Sequence, residues 1–327
     1  LLFFENFDII YIESERKEII KEKIMQEFVM LVGPSGCGKS TWAKSYSKNY
    51  NHQYVIFSSD AIRSEFWGDE NNQQNPAKVF EVLHQRVRNA LQQGNNVIYD
   101  ATNLNAKRRK NYLKQLKQQM AADGIEVKFI ALVMVTSFED CLRNNEKRVR
   151  HVPVSVIENH FKTICLPWYD EGWDDIGYYL NSQIISWGDV LKMIDIPHNN
   201  EHHQYDVLEH SLKVAAAMGK PFSKYWKIGA LHDFGKPFTK DFQKLNGKVD
   251  GQAHYYGHSF VGAYLSLLVD ENDTDGFKKY KRAMVIQYHM EPFLRDEKAL
   301  ESLYDRIDDK EIIGLIQKLN KADNDWA

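Results

Sequence analysis

No stretch of this chain stays apolar for the ~20 residues that a membrane-spanning helix needs, so no part of its 327 residues is expected to enter a bilayer. Cysteine is scarce. Cys37, Cys141 and Cys165 are the three present, and their spacing suggests no pairing. That excludes a disulfide-built secreted domain and points to a reducing, cytoplasmic setting. The opening LLFFENFDIIYIESERKE has no basic n-region and is soon broken by charge, so it does not read as a secretory signal. It also lacks an initiating Met, which implies a few residues ahead of it. Internal repeats and low-complexity tracts are absent. What is present is ordinary globular material, 43% hydrophobic and 13% aromatic. That length and composition suit large cores and two domains of common size.

The net charge of −3 conceals an asymmetry. Residues 27–160 carry 18 Lys and Arg against 13 Asp and Glu, while residues 161–327 carry 20 against 26. A basic first half beside an acidic second half suits a polyanion on one domain and metal ions on the other, although solvated surface alone produces such patterns.

Apolar runs and turn residues predict strands over 27–33, 54–60, 96–100 and 127–135, alternating with helices over 39–49, 76–93, 106–122, 138–149 and 154–163. Alternation of this kind predicts an α/β domain, a parallel sheet flanked by helices, with ligands at the strands' C-terminal ends. The aromatic stretch PWYDEGWDDIGYYL (167–180) is expected to close that domain as core, and MIDIPHNN (193–200) reads as a linker. Helical spacing then recurs over 204–218, 223–232, 256–270, 276–290, 297–305 and 309–325 with no comparable strand series. The expectation is an all-α second domain, with the division near residue 190.

GPSGCGKST, residues 33–41, follows the apolar run EFVMLV and matches G-x-x-x-x-G-K-[ST]. A buried strand, a Gly-rich turn and a helix start are what a phosphate cradle requires. Gly33, Ser35, Gly36 and Gly38 form the turn, whose backbone N–H groups and helix N-terminus would meet phosphate oxygens. Lys39 would reach the β/γ-phosphates of ATP, and Ser40, followed by Thr41, would hold Mg²⁺. Three further signals fall at the sheet's expected active edge: Asp60 and Arg63 in SSDAIR, Asp100 in DATNLNAKRRK, and Arg143, Arg148 and Arg150 in CLRNNEKRVRHVP. Phosphoryl transfer to a hydroxyl needs a carboxylate to take the proton and cations on the moving phosphoryl group. Asp60 is the candidate base, Arg63 the candidate grip on the acceptor and Arg148 the candidate lid cation. Asp100 is open between a metal or water contact and an orienting role. The KRRK run at 107–110 reads as a solvated helix face.

GPSGCGKST, SSDAIR, VIYDATNLNAKRR and CLRNNEKR followed by VP resemble the kinase domain of the phage-type polynucleotide 5′-kinases, over roughly residues 27–180. The resemblance implies transfer of the ATP γ-phosphate to a 5′-hydroxyl of RNA or DNA, with Asp60 as general base, Arg63 on the acceptor's phosphate and Arg148 as the lid arginine. The spacing from the arginines to Pro153 departs from that family's pattern, which leaves Arg143, Arg148 and Arg150 open as the acting residue.

The second half reads HHQYDVLEHSLKVA (202–215), ALHDFGKP (230–237), AHYYGHSFVGA (253–263), QYHM (287–290) and NKADNDWA (320–327). His and carboxylate ligands in series suit a hydrolytic metal site with positions left for water. Adjacent His232 and Asp233 can serve one site only where a helix ends, and Gly235 with Pro237 predicts that end. This segment resembles the HD superfamily of metal-dependent phosphohydrolases over roughly residues 200–327, with H…HD…D at His210, His232, Asp233 and Asp323. His258 and His289 fall where dinuclear members carry further ligands, implying one or two ions among Mn²⁺, Fe²⁺, Co²⁺, Ni²⁺ or Mg²⁺. Lys236 and His203 are candidates for substrate phosphate, Asp325 is a weaker substitute for Asp323, and His202 and His254 receive no role. The chain stops just after this motif, which implies an extension beyond it.

Joined, the two resemblances imply an end-healing enzyme of RNA or DNA repair, with a ligase acting downstream and no membrane partner. One half would be a 5′-hydroxyl kinase and the other a phosphatase for a 3′-phosphate, 2′-phosphate or 2′,3′-cyclic phosphate. The rivals are a small-molecule or nucleoside kinase fused to a nucleotide or diadenosine polyphosphate hydrolase, and a nucleotide-sensing module without turnover.

Overall fold

The computed structural model describes residues 10–11, 25–49, 53–69, 74–148, 151–201, 204–269 and 275–326. These residues divide into two compact units. The first takes Leu1–Met134, Glu139–Val152 and Pro167–Asn181, and the second Val135–Phe138, Pro153–Leu166 and Ser182–Ala327. None of the helices among the described residues is long and apolar enough to cross a membrane.

The first unit is built on a six-stranded sheet of β1 (Ile10–Tyr11), β2 (Gln26–Val32), β3 (Tyr54–Ser58), β4 (Asn96–Asp100), β5 (Val127–Val135) and β6 (Asp175–Leu180), in the order β1-β6-β5-β2-β4-β3. β5, β2, β4 and β3 run parallel, with Phe28 opposite both Val97 and Phe129. Phe28, Met30, Leu31, Val97, Ile98 and residues 129–135 of β5 are all buried, the continuous apolar pattern of strands covered on both faces. The covering helices are α1 (Lys39–Asn49), α2 (Ser59–Trp67), α3 (Pro76–Gln92) and α4 (Ala106–Ala122), with α5 (Phe138–Glu146) following β5. Their starts are read from side chains: Ser58, Asn75 and Asn105 each accept a hydrogen bond from a first-turn N–H. The SSD that ends the predicted second strand is divided by this capping. Ser58 ends β3 and caps α2, which carries Asp60 in its first turn. β6 arises inside the stretch read only as an aromatic closure.

The second unit is helical. It contains α6 (Val154–Thr163), α7 (Trp187–Met193), α8 (Val207–Met218), α9 (Lys224–Leu231), α10 (Lys236–Thr239), α11 (His258–Ser266), α12 (Gly276–Tyr288), α13 (Glu291–Leu294), α14 (Glu297–Ile307) and α15 (Lys310–Asp325). α11 is its centre: His258, Ser259 and residues 261–266 are all buried. α8 packs on α9, α11 on α12, and α15 on both α8 and α12. One feature departs from a purely helical reading, a hairpin of β7 (Asp241–Gln243) and β8 (Val249–His254). Its strands are mostly exposed and short, and the turn residues Asn246 and Gly247 that make it carry no helical period to contradict.

Candidate functional sites

In the first unit the loop after β2 is fixed before any ligand arrives. Gly33 N–H donates to the Thr102 carbonyl at 3.0 Å. Gly36 and Gly38 have φ of 87° and 93°, the region that costs any residue with a Cβ. A Cβ on Gly36 would overlap the Cys141 carbonyl, and one on Gly38 would crowd the Asn181 side chain. Two amides hold the loop's outer wall. Asn144 Nδ2 donates to Gly36 O at 2.9 Å, and Asn181 Nδ2 donates to Cys37 O at 3.0 Å. Neither amide was singled out from the sequence, where an isolated Asn has no signature. The DATNLN segment has a structural reason too. Asn103, at φ 51°, donates from Nδ2 to Leu31 O at 2.7 Å, tying the turn after β4 to the end of β2.

Lys39 opens α1 and is buried, its Nζ donating to Gly33 O at 3.0 Å and Pro34 O at 2.7 Å. The ammonium is thus parked on loop carbonyls, where an anion can draw it away. Ser40 Oγ donates to Asp100 Oδ2 at 2.6 Å. Asp100 is buried, and that burial raises its carboxyl above the ordinary range despite Lys39 and Ser40 nearby. A hydroxyl beside an under-compensated buried carboxylate is an all-oxygen donor set of the kind Mg²⁺ takes. Asp60 and Arg63 form an ion pair at 2.8 Å, with Arg63 buried and the Asp60 side chain 48% exposed. Lys39 and Arg148 lower the Asp100 carboxyl pKa and Asp60 raises it, each acting on it electrostatically, though burial outweighs them. Arg148 stands exposed just past α5, whereas Arg143 is turned to Asp140 on its own helix. Ser35 lies half-buried in the loop and Thr41 exposed in the first turn of α1. Arg150 lies outside the described residues.

The KRRK run is a solvated face except at Arg109: Lys107 and Arg108 are exposed and Lys110 partly so. Arg109 is 2% exposed and pairs with buried Glu171, donating also to Asn103 O at 2.8 Å. Lys110 reaches Asp170 at 2.9 Å. The helical period turns one member of any four-residue run inward, and a buried carboxylate awaits it there.

In the second unit six side chains from five places converge. His210 comes from α8, His232 and Asp233 from the turn after α9, His258 from the start of α11, His289 from the end of α12 and Asp323 from α15. They form two donor groups, His210–His232–Asp323 and Asp233–His258–His289, with the donor atoms of each within 4.8 Å of one another. Asp233 links them: Oδ2 lies 3.2 Å from His232 Nε2, and Oδ1 lies 3.4 Å from His258 Nε2. Gly235 makes the link feasible. A Cβ there would overlap the His258 carbonyl, so only glycine lets this turn lie against α11.

The imidazoles are oriented by the backbone. Nδ1 of His210, His232, His258 and His289 sits 3.0, 2.7, 2.8 and 2.7 Å from the carbonyls of Trp326, Gly229, Tyr255 and Ile286. Each Nδ1 therefore carries a proton and donates it, which leaves each Nε2 aimed inward as the atom that can bind an ion. His210 and His232 face each other Nε2 to Nε2 at 3.2 Å, and so do His258 and His289. Two lone pairs at that distance repel unless a proton or a metal ion lies between them. The charges say the same. Burial lowers the His232 pKa, but Asp233 and Asp323 outweigh it and hold the ring up at about 10. Burial pushes His289 down to about 3, and His258 downward as well. Burial would raise Asp233, yet His232 and Lys236 keep it well below the carboxylate range. The residues present thus fit divalent ions held by imidazole and carboxylate.

Lys236 Nζ lies 2.7 Å from Asp233 Oδ2 and 2.9 Å from His198 Nε2. His198, from the segment read as a linker, is buried, and burial together with Lys236 lowers its pKa to about 4. Asp325 is exposed, and His254 pairs with Asp250 at 3.2 Å, outside both donor groups. His202 and His203 lie outside the described residues.

A family profile for the AAA domain matches residues 28–165, and one for the HD domain matches residues 200–323. No curated protein gives a significant match. Among solved structures, the Pnkp1/Rnl/Hen1 RNA repair complex contains a chain 22% identical to this one, with 43% of this chain and 44% of that chain covered at a TM-score of 0.35. A fungal RNA kinase is 14% identical over 49% of this chain and 74% of its own, at a TM-score of 0.35. A gluconokinase from Sinorhizobium meliloti 1021 is 14% identical over 48% and 83%, at 0.33. This chain therefore spans less than half the length of the RNA repair chain, and an RNA kinase and a sugar kinase score alike, so these likenesses decide no substrate. The chain joins an AAA-type P-loop domain over residues 28–165 to an HD domain over residues 200–323.

Proposed function

We propose that this protein heals broken nucleic-acid ends, the P-loop domain phosphorylating a 5′-hydroxyl with ATP and the HD domain removing phosphate from the 3′ end. One observation carries the reading. A single chain holds a phosphate cradle with the Ser40–Asp100 pair and, separately, a linked His/Asp cluster suited to hydrolysis of a phosphate ester. A polynucleotide acceptor is supported by the resemblance of VIYDATNLNAKRR and SSDAIR to polynucleotide kinases and by the positive balance of residues 27–160.

On this reading the triphosphate lies on the N–H groups of residues 33–40, and Lys39 leaves its carbonyls for the β/γ-phosphates. Ser40 and Asp100 would hold Mg²⁺, which when bound would supply charge neutralisation on those oxygens. Asp60 takes the proton of the attacking hydroxyl, Arg63 grips the acceptor's phosphate, and Arg148 offsets charge from the lid side, as Arg143 is committed to Asp140. In the HD domain, His210, His232 and Asp323 would hold one ion and His258 and His289 a second, with Asp233 between. Such ions supply an activated water and neutralise phosphate oxygens. The substrate is a 3′-phosphate, a 2′-phosphate or a 2′,3′-cyclic phosphate, and the product ends are those a ligase seals.

Separation of function tests this. Asp60→Ala removes a general base and is expected to lower 5′-phosphorylation by roughly 10²–10⁴-fold with end-phosphate release unchanged. Asp233→Ala is expected to do the reverse. If either folded variant loses both activities, the two sites are not independent. If neither activity appears on RNA or DNA while nucleosides are phosphorylated, the small-molecule reading replaces this one.

A further inference from the structure

Among the groups around the HD cluster, His198 has no part in holding metal and is yet buried to 2% exposure within it. Its Nδ1 lies 2.7 Å from the Tyr205 carbonyl. A carbonyl only accepts, so Nδ1 carries the proton and Nε2 presents a lone pair. That lone pair faces Lys236 Nζ at 2.9 Å, and an ammonium only donates. The direction of the whole chain is therefore fixed: Lys236 gives to His198, and His198 gives to the backbone. The rest of the pocket is built around the same ammonium. Asp233 Oδ2 lies 2.7 Å from it, and the Tyr255 ring centroid 5.4 Å. The Tyr255 hydroxyl in turn donates to the His198 carbonyl, and the two rings meet edge to face at 6.1 Å. Lys236 itself is 4% exposed. A long, flexible lysine stem is thereby held to one position beside the carboxylate that links the two donor groups.

We infer that His198 is a positioning residue, fixing the Lys236 ammonium where the phosphate of a substrate meets the HD cluster. This rests on the reading of the HD domain as a phosphohydrolase. Once the carboxylate of Asp233 is engaged by metal, the ammonium keeps His198 as its second acceptor and turns its remaining donors to the phosphate oxygens. Without that acceptor the lysine is free to swing, and phosphate loses an aligned cation.

The test compares His198→Phe with His198→Gln in the full chain loaded with Mn²⁺. Phe keeps the buried ring but has no acceptor, whereas Gln keeps an acceptor oxygen and loses the ring. Three quantities are read: bound Mn²⁺, the affinity for inorganic phosphate by calorimetry, and kcat and KM for p-nitrophenyl phosphate. Both variants are expected to hold as much Mn²⁺ as the parent. His198→Phe is expected to weaken phosphate by roughly 10-fold or more, the effect of losing a hydrogen bond to a charged group, with the loss falling on KM. His198→Gln is expected to stay close to the parent. In a Lys236→Met background, adding His198→Phe should change nothing further, because the lysine through which it acts is gone. A purely structural role predicts the opposite order, Phe tolerated and Gln impaired, and that result overturns the assignment, as do independent losses in the double variant or loss of Mn²⁺ with phosphate. Should p-nitrophenyl phosphate and inorganic phosphate follow the expected order while RNA ends are left untouched, the end-healing reading falls and the role of His198 stands.

Discussion

Backbone carbonyls decide the state of each imidazole in the HD cluster. Four Nδ1–H groups are tied to main-chain oxygens, so it is the Nε2 atoms that turn to a bound ion, His232 giving up the proton that Asp233 and Asp323 otherwise hold on it. The account predicts that protein stripped with a chelator takes up two Mn²⁺ per chain in native mass spectrometry, and that Asp233→Asn lowers that count. An uptake of zero or one by the parent contradicts the two-ion arrangement. A histidine of the first unit gives a different prediction. His84 stacks on Tyr112 with ring centroids 3.8 Å apart, its Nε2 3.2 Å from the Tyr99 hydroxyl, and burial pushes its pKa down to about 4. The unfolded chain protonates this ring near 6.5, so its contribution is complete above that pH and is lost as pH falls from 6.5 toward 4. The loss amounts to ~3 kcal/mol by linkage. His84→Phe should therefore lose less stability than the parent between pH 7 and pH 4.5 in urea unfolding. Equal losses would show that the ring is not kept neutral by the fold.

Elements were legible where their signals are local. The P-loop shows in the sequence because glycines at φ 87° and 93° and a following helix start are needed in a fixed order. The turn after α9 shows because Gly235 and Pro237 stop the helix beside His232 and Asp233. Other elements depend on distant partners and carry no such mark. The β6 strand lies among aromatics that also suit a loop, and its place beside β5 is decided by the sheet. His198 looked like linker because its partners Tyr205, Lys236 and Tyr255 lie apart in sequence. The burial of Arg109 within KRRK carries no local mark for the same reason, since Glu171 is 62 residues away. That pair also receives Trp173 Nε1 on Glu171 at 3.0 Å. Removing one partner leaves the other charge buried and uncompensated, at a cost of ~3–5 kcal/mol. Arg109→Met should accordingly lower the unfolding free energy of the first unit by that amount in urea titration. A change under ~1 kcal/mol would mean that water reaches the pair.

At the scale of the molecule, a P-loop domain and an HD domain share one chain, and the proposed reading gives them different metal demands. The P-loop offers oxygen donors, Ser40 and Asp100, and the HD cluster offers imidazoles with carboxylates. These sets select differently, oxygen donors suiting Mg²⁺ and imidazole suiting transition metals, so on the proposed reading both activities would run in one mixture of ions. The basic segment 27–160 contains the P-loop, where the proposed reading places a polyanion. The most direct measurement is mass spectrometry of a short RNA bearing 5′-hydroxyl and 3′-phosphate ends, incubated with the full chain, ATP, Mg²⁺ and Mn²⁺. The account predicts gain of one phosphate at the 5′ end and loss of one at the 3′ end. An RNA unchanged at both ends, with DNA equally inert while nucleosides or nucleotides are turned over, would contradict it.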